Sequence, residues 1–323
     1  MRRTLAPLAV ALLSLAYAGA AAAGNGGIAP VAPKSPNTER ISDLYYVLLA
    51  VTGAIFVLVE GALLLFVFRF RARGRSRDVE GPQITGHTRL ELIWTAVPVV
   101  ILAGIVGFVF YKLPGIKNVP SASAAGSELR LRVEGHQFYW RYIWSDGTIA
   151  FDRLVAPLDQ PVRVEVDAHD VIHSWWVPAL APKIDAIPGR VNHTWFQPKR
   201  EGTYKVRCAE FCGIQHAQML GTVRVVSEAD FERYRAERRE NPRTIGSEAF
   251  EATCAKCHGL KGEGGIGPVL AGNANLQNRD TMESIIRNGV NTMPPVGKNW
   301  TTNEIHAVID YLQQNLAKAP SGE

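Results

Sequence analysis

Apolar positions along the chain follow three patterns in turn. They are continuous in two long stretches, alternate with polar positions through the middle, and recur at helical spacing near the end. Leu44 to Phe68 is a run of 25 residues with one charge, Glu60. As a helix it would be about 37 Å long, enough to cross a bilayer with some tilt. Leu92 to Tyr111 predicts a second span of about 30 Å, with Pro98 placed to kink it. Arg69, Arg71, Arg73, Arg75 and Arg77 assign the loop 69–91 to the cytoplasm, so both ends of the hairpin lie outside. A shorter apolar stretch, Leu5 to Ala18, follows two arginines and precedes small residues, which predicts a signal peptide over 1–23. Residues 24–43 then form an extracytoplasmic tail.

After a Pro/Gly/Ser/Ala linker at 115–126 the pattern alternates: Leu129, Leu131 and Val133, then Val162, Val164 and Val166. These read as half-buried strands, and Val223 to Val226 as the last of them. Turn signals at Asp146-Gly147, Pro157 to Pro161, Pro188-Gly189 and Glu201-Gly202 separate them. Short, regularly spaced strands predict an all-β sandwich or barrel within 112–226. Residues 227–244 are highly charged and end at Asn241-Pro242, a helical extension or a tether. Residues 245–323 form a further domain. Its last helix begins with a capping box, Thr301-Thr-Asn-Glu304, and carries Ile305, Val308, Ile309, Leu312 and Leu316 on one face.

The chain is basic, with 35 Lys and Arg against 30 Asp and Glu. Residues 1–111 hold 10 against 6, and residues 112–323 hold 25 against 24. The excess therefore sits around the membrane segments, and a nucleic-acid partner has no support.

The chemistry concentrates in Cys208-Ala-Glu-Phe-Cys212-Gly-Ile-Gln-His216-Ala-Gln-Met219. On a flat strand, residues four apart lie about 13 Å from each other, so the segment must curl for its donors to meet. Gly213 permits the turn. Two thiols, an imidazole and a thioether are soft ligands that suit copper. Two thiolates exceed what one blue-copper ion takes, but they can bridge two coppers, each with its own histidine. His216 supplies one, and His173 in Asp170-Val-Ile-His173-Ser-Trp-Trp is the candidate for the other. Met219 and the backbone carbonyl of Glu210 supply weak axial ligands. A Cys208–Cys212 disulfide leaves His216 and Met219 unexplained, zinc rarely recruits methionine, and a thioredoxin-like copper chaperone would not place both after the second cysteine.

Downstream, Cys254-Ala-Lys-Cys257-His258 has the form of a covalent haem c attachment, with His258 as proximal ligand. The other reading is a redox Cys-x-x-Cys pair. The distal ligand should be a methionine. Met282 lies in a helical run and reads as core, whereas Met293 lies in a loop before two prolines. With two cysteines for copper and two for haem, no disulfide is expected. His87, His169, His193 and His306 read as surface or loop residues, and His136 as a satisfied packing residue.

The copper loop together with His-Ser-Trp-Trp-Val-Pro resembles the binuclear copper-A site of cytochrome c oxidase subunit II, and residues 245–323 resemble a class I cytochrome c. Together they resemble the fused subunit II of caa3-type oxidases. The resemblance implies a multidomain membrane protein: a two-helix hairpin, a cupredoxin-like sandwich and an all-α cytochrome domain. It implies a place in the bacterial cytoplasmic membrane, with the copper and haem domains on the periplasmic side. It also implies a role in a proton-pumping oxidase: electrons pass from a donor through haem c and copper A to subunit I, where oxygen is reduced. The implied partners are subunit I, subunit III, and a quinol-cytochrome c reductase or soluble cytochrome c as donor. Met293 matches the family's distal ligand position, and the Glu210 side chain the family's magnesium ligand at the subunit I boundary. Glu91-Leu-Ile-Trp94-Thr-Ala-Val-Pro98 resembles a family segment whose glutamate lies near a proton pathway; a helix-end charge is the other reading of Glu91. Phe138 stands where the mitochondrial-type pattern has an electron-accepting tryptophan. A copper-A nitric oxide or nitrous oxide reductase component, or a tethered copper chaperone, are the alternatives.

Overall fold

The computed structural model describes residues 30–71, 74, 81, 83–120, 129–241 and 244–317. The expected signal peptide, most of the arginine-rich loop and most of the linker before the first strand lie outside them.

Two long helices form a unit of their own: α1 (Pro36–Arg69) and α2 (Thr88–Lys117). Both are long and apolar enough to cross a membrane, with mean hydropathy 2.4 and 2.5 in their most apolar windows. Each outruns the apolar stretch that predicts it, because polar flanks continue the same hydrogen-bonded ladder. Helix α1 starts at Pro36, whose missing N–H and fixed φ suit a first helical position. Acidic residues sit in both first turns (Glu39, Glu91) and basic ones in both last turns (Arg69, Lys117), in the sense the helix dipole favours. Asp43 and Lys112 join the two helices by a 2.7 Å ion pair.

The remaining described residues centre on a β-sandwich. Its strands are β1 (Leu129–His136), β2 (Tyr139–Trp144), β3 (Ile149–Phe151), β4 (Arg153–Pro157), β5 (Val162–Ala168), β6 (His173–Val177), β7 (Ala181–Ala186), β8 (Asn192–Phe196), β9 (Gly202–Cys208) and β10 (Leu220–Val226). One sheet runs β3-β2-β1-β5-β8 and the other β4-β10-β9-β6-β7, with β1–β5 and β4–β10 parallel. Alternation sends Leu131, Val133, Val162, Val164 and Val166 of the first sheet inward, against Trp175, Val206, Val223 and Val225 of the second.

Strand β2 is buried on both faces. Trp140, Tyr142 and Trp144 fill the sandwich, while Tyr139 points out into a second core with Phe151, Trp300 and Ile305. That second core belongs to the C-terminal helices. Helix α3 (Glu228–Glu240) leads to them, capped by the Ser227 hydroxyl, which accepts from Asp230 N. It is no free tether. Phe231 packs into the sandwich core 5.1 Å from the Trp144 ring, and Arg235 and Arg239 both pair with Asp146. Then come α4 (Thr244–Ala249), a π-helical turn (Phe250–Cys254), α5 (Ala255–His258), α6 (Arg279–Asn288) and α7 (Thr302–Asn315). The expected capping box forms at Thr301 and Glu304.

The helical domain is docked on the outer face of the first sheet. Trp300 Nε1 donates to Tyr139 Oη (2.9 Å), which donates to the Val296 carbonyl (2.7 Å). Arg141 forks onto both oxygens of Glu304 at 2.8 Å and reaches Glu134 at 2.7 Å, all three side chains buried. A fork of this kind fixes orientation as well as distance.

Candidate functional site

Strand pairing brings the copper-loop donors together. His173 opens β6 and Cys208 closes β9, and these strands pair with Trp175 opposite Cys208. The loop then turns at Gly213 (φ 132°) and returns, so that Cys208 N donates to the Met219 carbonyl at 3.2 Å. The result is a chain of close donors. Cys208 Sγ lies 3.9 Å from His173 Nδ1 and 3.9 Å from Cys212 Sγ. Cys212 Sγ lies 3.5 Å from His216 Nδ1 and 3.7 Å from Met219 Sδ. The Glu210 carbonyl faces Cys208 Sγ at 3.1 Å, while its side chain is exposed. Both thiols are free, and their separation far exceeds a disulfide bond. His173 and Met219 are fully buried, His216 half-buried.

The electrostatics favour a thiolate. Cys208 is held far below the ordinary thiol range, first by the hydrogen bond from the Cys212 thiol and further by His173. Cys212 is pushed up, because it keeps the shared proton beside that thiolate and is itself desolvated. Burial opposes charge on His173, yet hydrogen bonds to Asp170 and Cys208 outweigh it and raise its pKa. Asp170 Oδ1 holds His173 Nε2 at 2.8 Å, which leaves Nδ1 toward the sulfurs. Gly135 makes room for this ring: a methyl group there would fall 2.9 Å from His173 Cδ2. Two sulfurs, two imidazoles, a thioether and a carbonyl around one buried spot fit a pair of copper ions.

The haem motif is built locally. Cys254 ends the π-helical turn, and Cys257 and His258 lie on α5. His258 is buried and its Nδ1 lies 2.7 Å from the Pro268 carbonyl, which leaves Nε2 as the free donor atom. Gly267 lies flat against this ring, where a methyl group would come within 2.7 Å of Cε1. Leu260, Ile266, Val269 and Val290 are exposed apolar side chains of the same domain. Met293 is half-buried in a tight loop, with Val290 N and Met293 N each donating to the other's carbonyl. Met282 lies in the helical core, as its sequence context predicts.

The two motifs meet at residues that sequence reasoning left unassigned. Gln215, buried and next to His216, donates from Nε2 to the Lys256 carbonyl at 2.8 Å, inside the Cys-x-x-Cys. Lys256 Nζ donates to Asp152 Oδ2 (2.6 Å) and to the Phe138 carbonyl (2.7 Å). Burial pushes Asp152 up to about 6, against the pull of the Lys256 charge. The Phe138 ring lies against Gly213, where an added methyl would meet its Cε1 at 3.0 Å. Nothing in the local sequence marks Gln215 or Lys256, because their role comes from the docking of one domain on the other. His136 packs as expected, with its ring stacked on Tyr139, but its Nε2 makes no close hydrogen bond among the described residues, Glu134 Oε2 lying 3.5 Å away. In the hairpin, Glu91 accepts from His87 N at 2.9 Å at the start of α2.

Known families match all three parts of the chain. Residues 27–112 match the cytochrome c oxidase subunit II transmembrane domain, and residues 148–226 its periplasmic domain. Residues 241–312 match the family described as cytochrome c oxidase, cbb3-type, subunit III. A probable cytochrome c oxidase subunit 2 of Rickettsia bellii is 34% identical over 64% of this chain and 82% of its own length. The chain belongs to the cytochrome c oxidase subunit II family. The cytochrome c oxidase subunit 2 of Alkalihalophilus pseudofirmus is 29% identical over 90% of this chain and 91% of its own length. The periplasmic domain of the Bradyrhizobium japonicum oxidase subunit II, a crystal structure, is 32% identical, with a TM-score of 0.35 over 38% of this chain and 98% of that one. A membrane-anchoring hairpin, a periplasmic cupredoxin-like sandwich and a C-terminal cytochrome domain make this a subunit II of the fused, caa3-like kind.

Proposed function

We propose that this subunit II passes electrons from a donor to subunit I of a proton-pumping terminal oxidase. It would use a haem c held by Cys254, Cys257, His258 and Met293, and a copper pair held by His173, Cys208, Cys212, His216, Met219 and the Glu210 carbonyl. When bound, these groups supply reversible one-electron carriage, and oxygen chemistry stays in subunit I. The observation that carries the reading is the Gln215–Lys256 hydrogen bond, which joins the two ligand loops directly. Buried donors around the sulfurs keep water out, and Asp170 holds His173 in one tautomer. The docked helical domain covers the strand beside Phe138, which supports electron delivery from the fused domain rather than at a free aromatic group. Family membership favours an oxidase over the reductase and chaperone alternatives. The Glu210 side chain, exposed next to the copper loop, stays the candidate magnesium ligand at the subunit I boundary.

The test uses the assembled oxidase. Wild type should carry two coppers per haem in this subunit. Cys208→Ser should lose both coppers yet keep covalent haem, and on mixing with reduced donor that haem should stay reduced. Reoxidation at the wild-type rate, or one copper or zinc in the wild type, would sink the assignment.

Glu91, at the cytoplasmic start of α2, is the proton-uptake candidate. Glu91→Gln should slow turnover with copper and haem contents unchanged. Equal turnover across a pH series leaves Glu91 as the helix-end acceptor for His87 N.

A further inference from the structure

We propose that Glu134, His136 and His169 form a third metal site, which takes a zinc-class divalent transition ion with one position open to solvent. None of the three belongs to the copper or haem ligand sets. Glu134 and His136 are two apart on β1 and so share its outer face. His169 follows the end of β5, the parallel neighbour of β1. Their donor atoms all lie within 4.8 Å of one another. Glu134 Oε2 is 3.5 Å from His136 Nε2, and Oε1 is 3.5 Å from His169 Nε2. Those separations are long for hydrogen bonds. Each is close to an O–N edge of a zinc shell, about 3.4 Å for metal bonds of about 2.0–2.2 Å, with one carboxylate oxygen facing each imidazole.

A second observation points to a ligand. His136 is 7% exposed, and its Nε2 has no hydrogen-bond partner among the described residues. A buried nitrogen whose nearest polar partner is the Glu134 carboxylate at 3.5 Å is poorly satisfied, and a metal bond would supply the missing interaction. The His136 ring stacks on Tyr139 at 4.8 Å, and the His169 ring lies 5.3 Å from it.

The charge balance permits a dication. Three carboxylates, Glu134, Asp167 and Glu304, face two guanidiniums, Arg132 and Arg141. Arg141 at 2.7 Å and Arg132 at 3.3 Å orient the Glu134 carboxylate, as outer hydrogen bonds do for metal-bound carboxylates. Each carboxylate oxygen keeps a lone pair for a metal. Two imidazoles select zinc, cobalt or nickel over calcium or magnesium. The His169 side chain is 30% exposed, so an ion can reach the site from solvent and keep a water there.

The test uses the untagged full-length chain with copper and haem loaded. It is equilibrated with micromolar zinc, freed of excess, and analysed for zinc, copper and iron. The expected result is one zinc per chain at an unchanged copper-to-iron ratio, with His169→Ala binding zinc at least tenfold more weakly. His169 is exposed, so that variant should keep its copper and iron. X-ray absorption at the zinc edge of the wild type should show nitrogen and oxygen neighbours alone. No retained zinc, equal binding by His169→Ala, zinc gained only as copper is lost, or sulfur in the zinc shell would each overturn the proposal.

Discussion

The copper loop and the haem segment hold their donor atoms by different means. The candidate copper donors come from β6, β9 and the loop before β10, and backbone hydrogen bonds tie that loop to the strands: Cys208 N to Met219 O, and Ala209 N to Ser174 O at 2.8 Å. The sulfurs and His173 are buried. The candidate haem donors, Met293 apart, come from the five residues Cys254 to His258 on short helical pieces, beside a glycine-rich loop and exposed Leu260, Ile266, Val269 and Val290. One region draws its donors from strands paired across a sheet. The other gathers most of its candidate donors within one short segment of chain. The helical domain shares Tyr139 and Phe151 of the sandwich in its core.

The strongest test of that contrast removes the haem attachments. Cys254→Ala/Cys257→Ala should strip hydrogen-exchange protection from residues 244–317, while the sandwich keeps its protection and its copper. Equal loss in both regions would break the comparison. Next in size is the seam. Arg141→Met leaves Glu134 and Glu304 buried without their shared cation, at a cost of about 3–5 kcal/mol. Denaturant unfolding should show that loss, and Arg141→Met/Glu304→Gln should recover part of it. An effect within error would mean the seam contributes only geometry.

The smallest effect depends on pH. Asp152 is raised from 3.8 to about 6 in the folded chain, chiefly by burial. Its contribution to stability is therefore full below about pH 4 and is lost as pH rises to about 6. Asp152→Asn should be tolerated, since asparagine suits the positive φ of 53° there. Relative to wild type, the variant should gain stability across that window by at most about 3 kcal/mol and stay level above pH 7. A constant difference from pH 4 to pH 8 would remove Asp152 as a titrating contact with Lys256.

Much of this was legible from one dimension. Apolar runs marked α1 and α2, and period-two alternation marked the strands. The two cysteine motifs marked their own chemistry because ligand spacing within a loop is a local property. Helix ends were less legible: α1 begins at Pro36 and α2 reaches Lys117, since a helix continues where its backbone bonds do, beyond the apolar run. The charged segment 227–244 could be read as helix or tether. Phe231 made the choice, by entering a core formed of strands distant in sequence.

By itself the sequence determined the order of hairpin, sandwich and helical domain, and the residue types able to bind copper and haem. Hydrophobic period and ligand chemistry are written along the chain. Only the tertiary structure decided that Gln215 meets Lys256, that Arg141 is neutralised by Glu304, and that Glu134, His136 and His169 converge. Those pairs are joined across domains or neighbouring strands, and their distances depend on register and docking that no local pattern encodes.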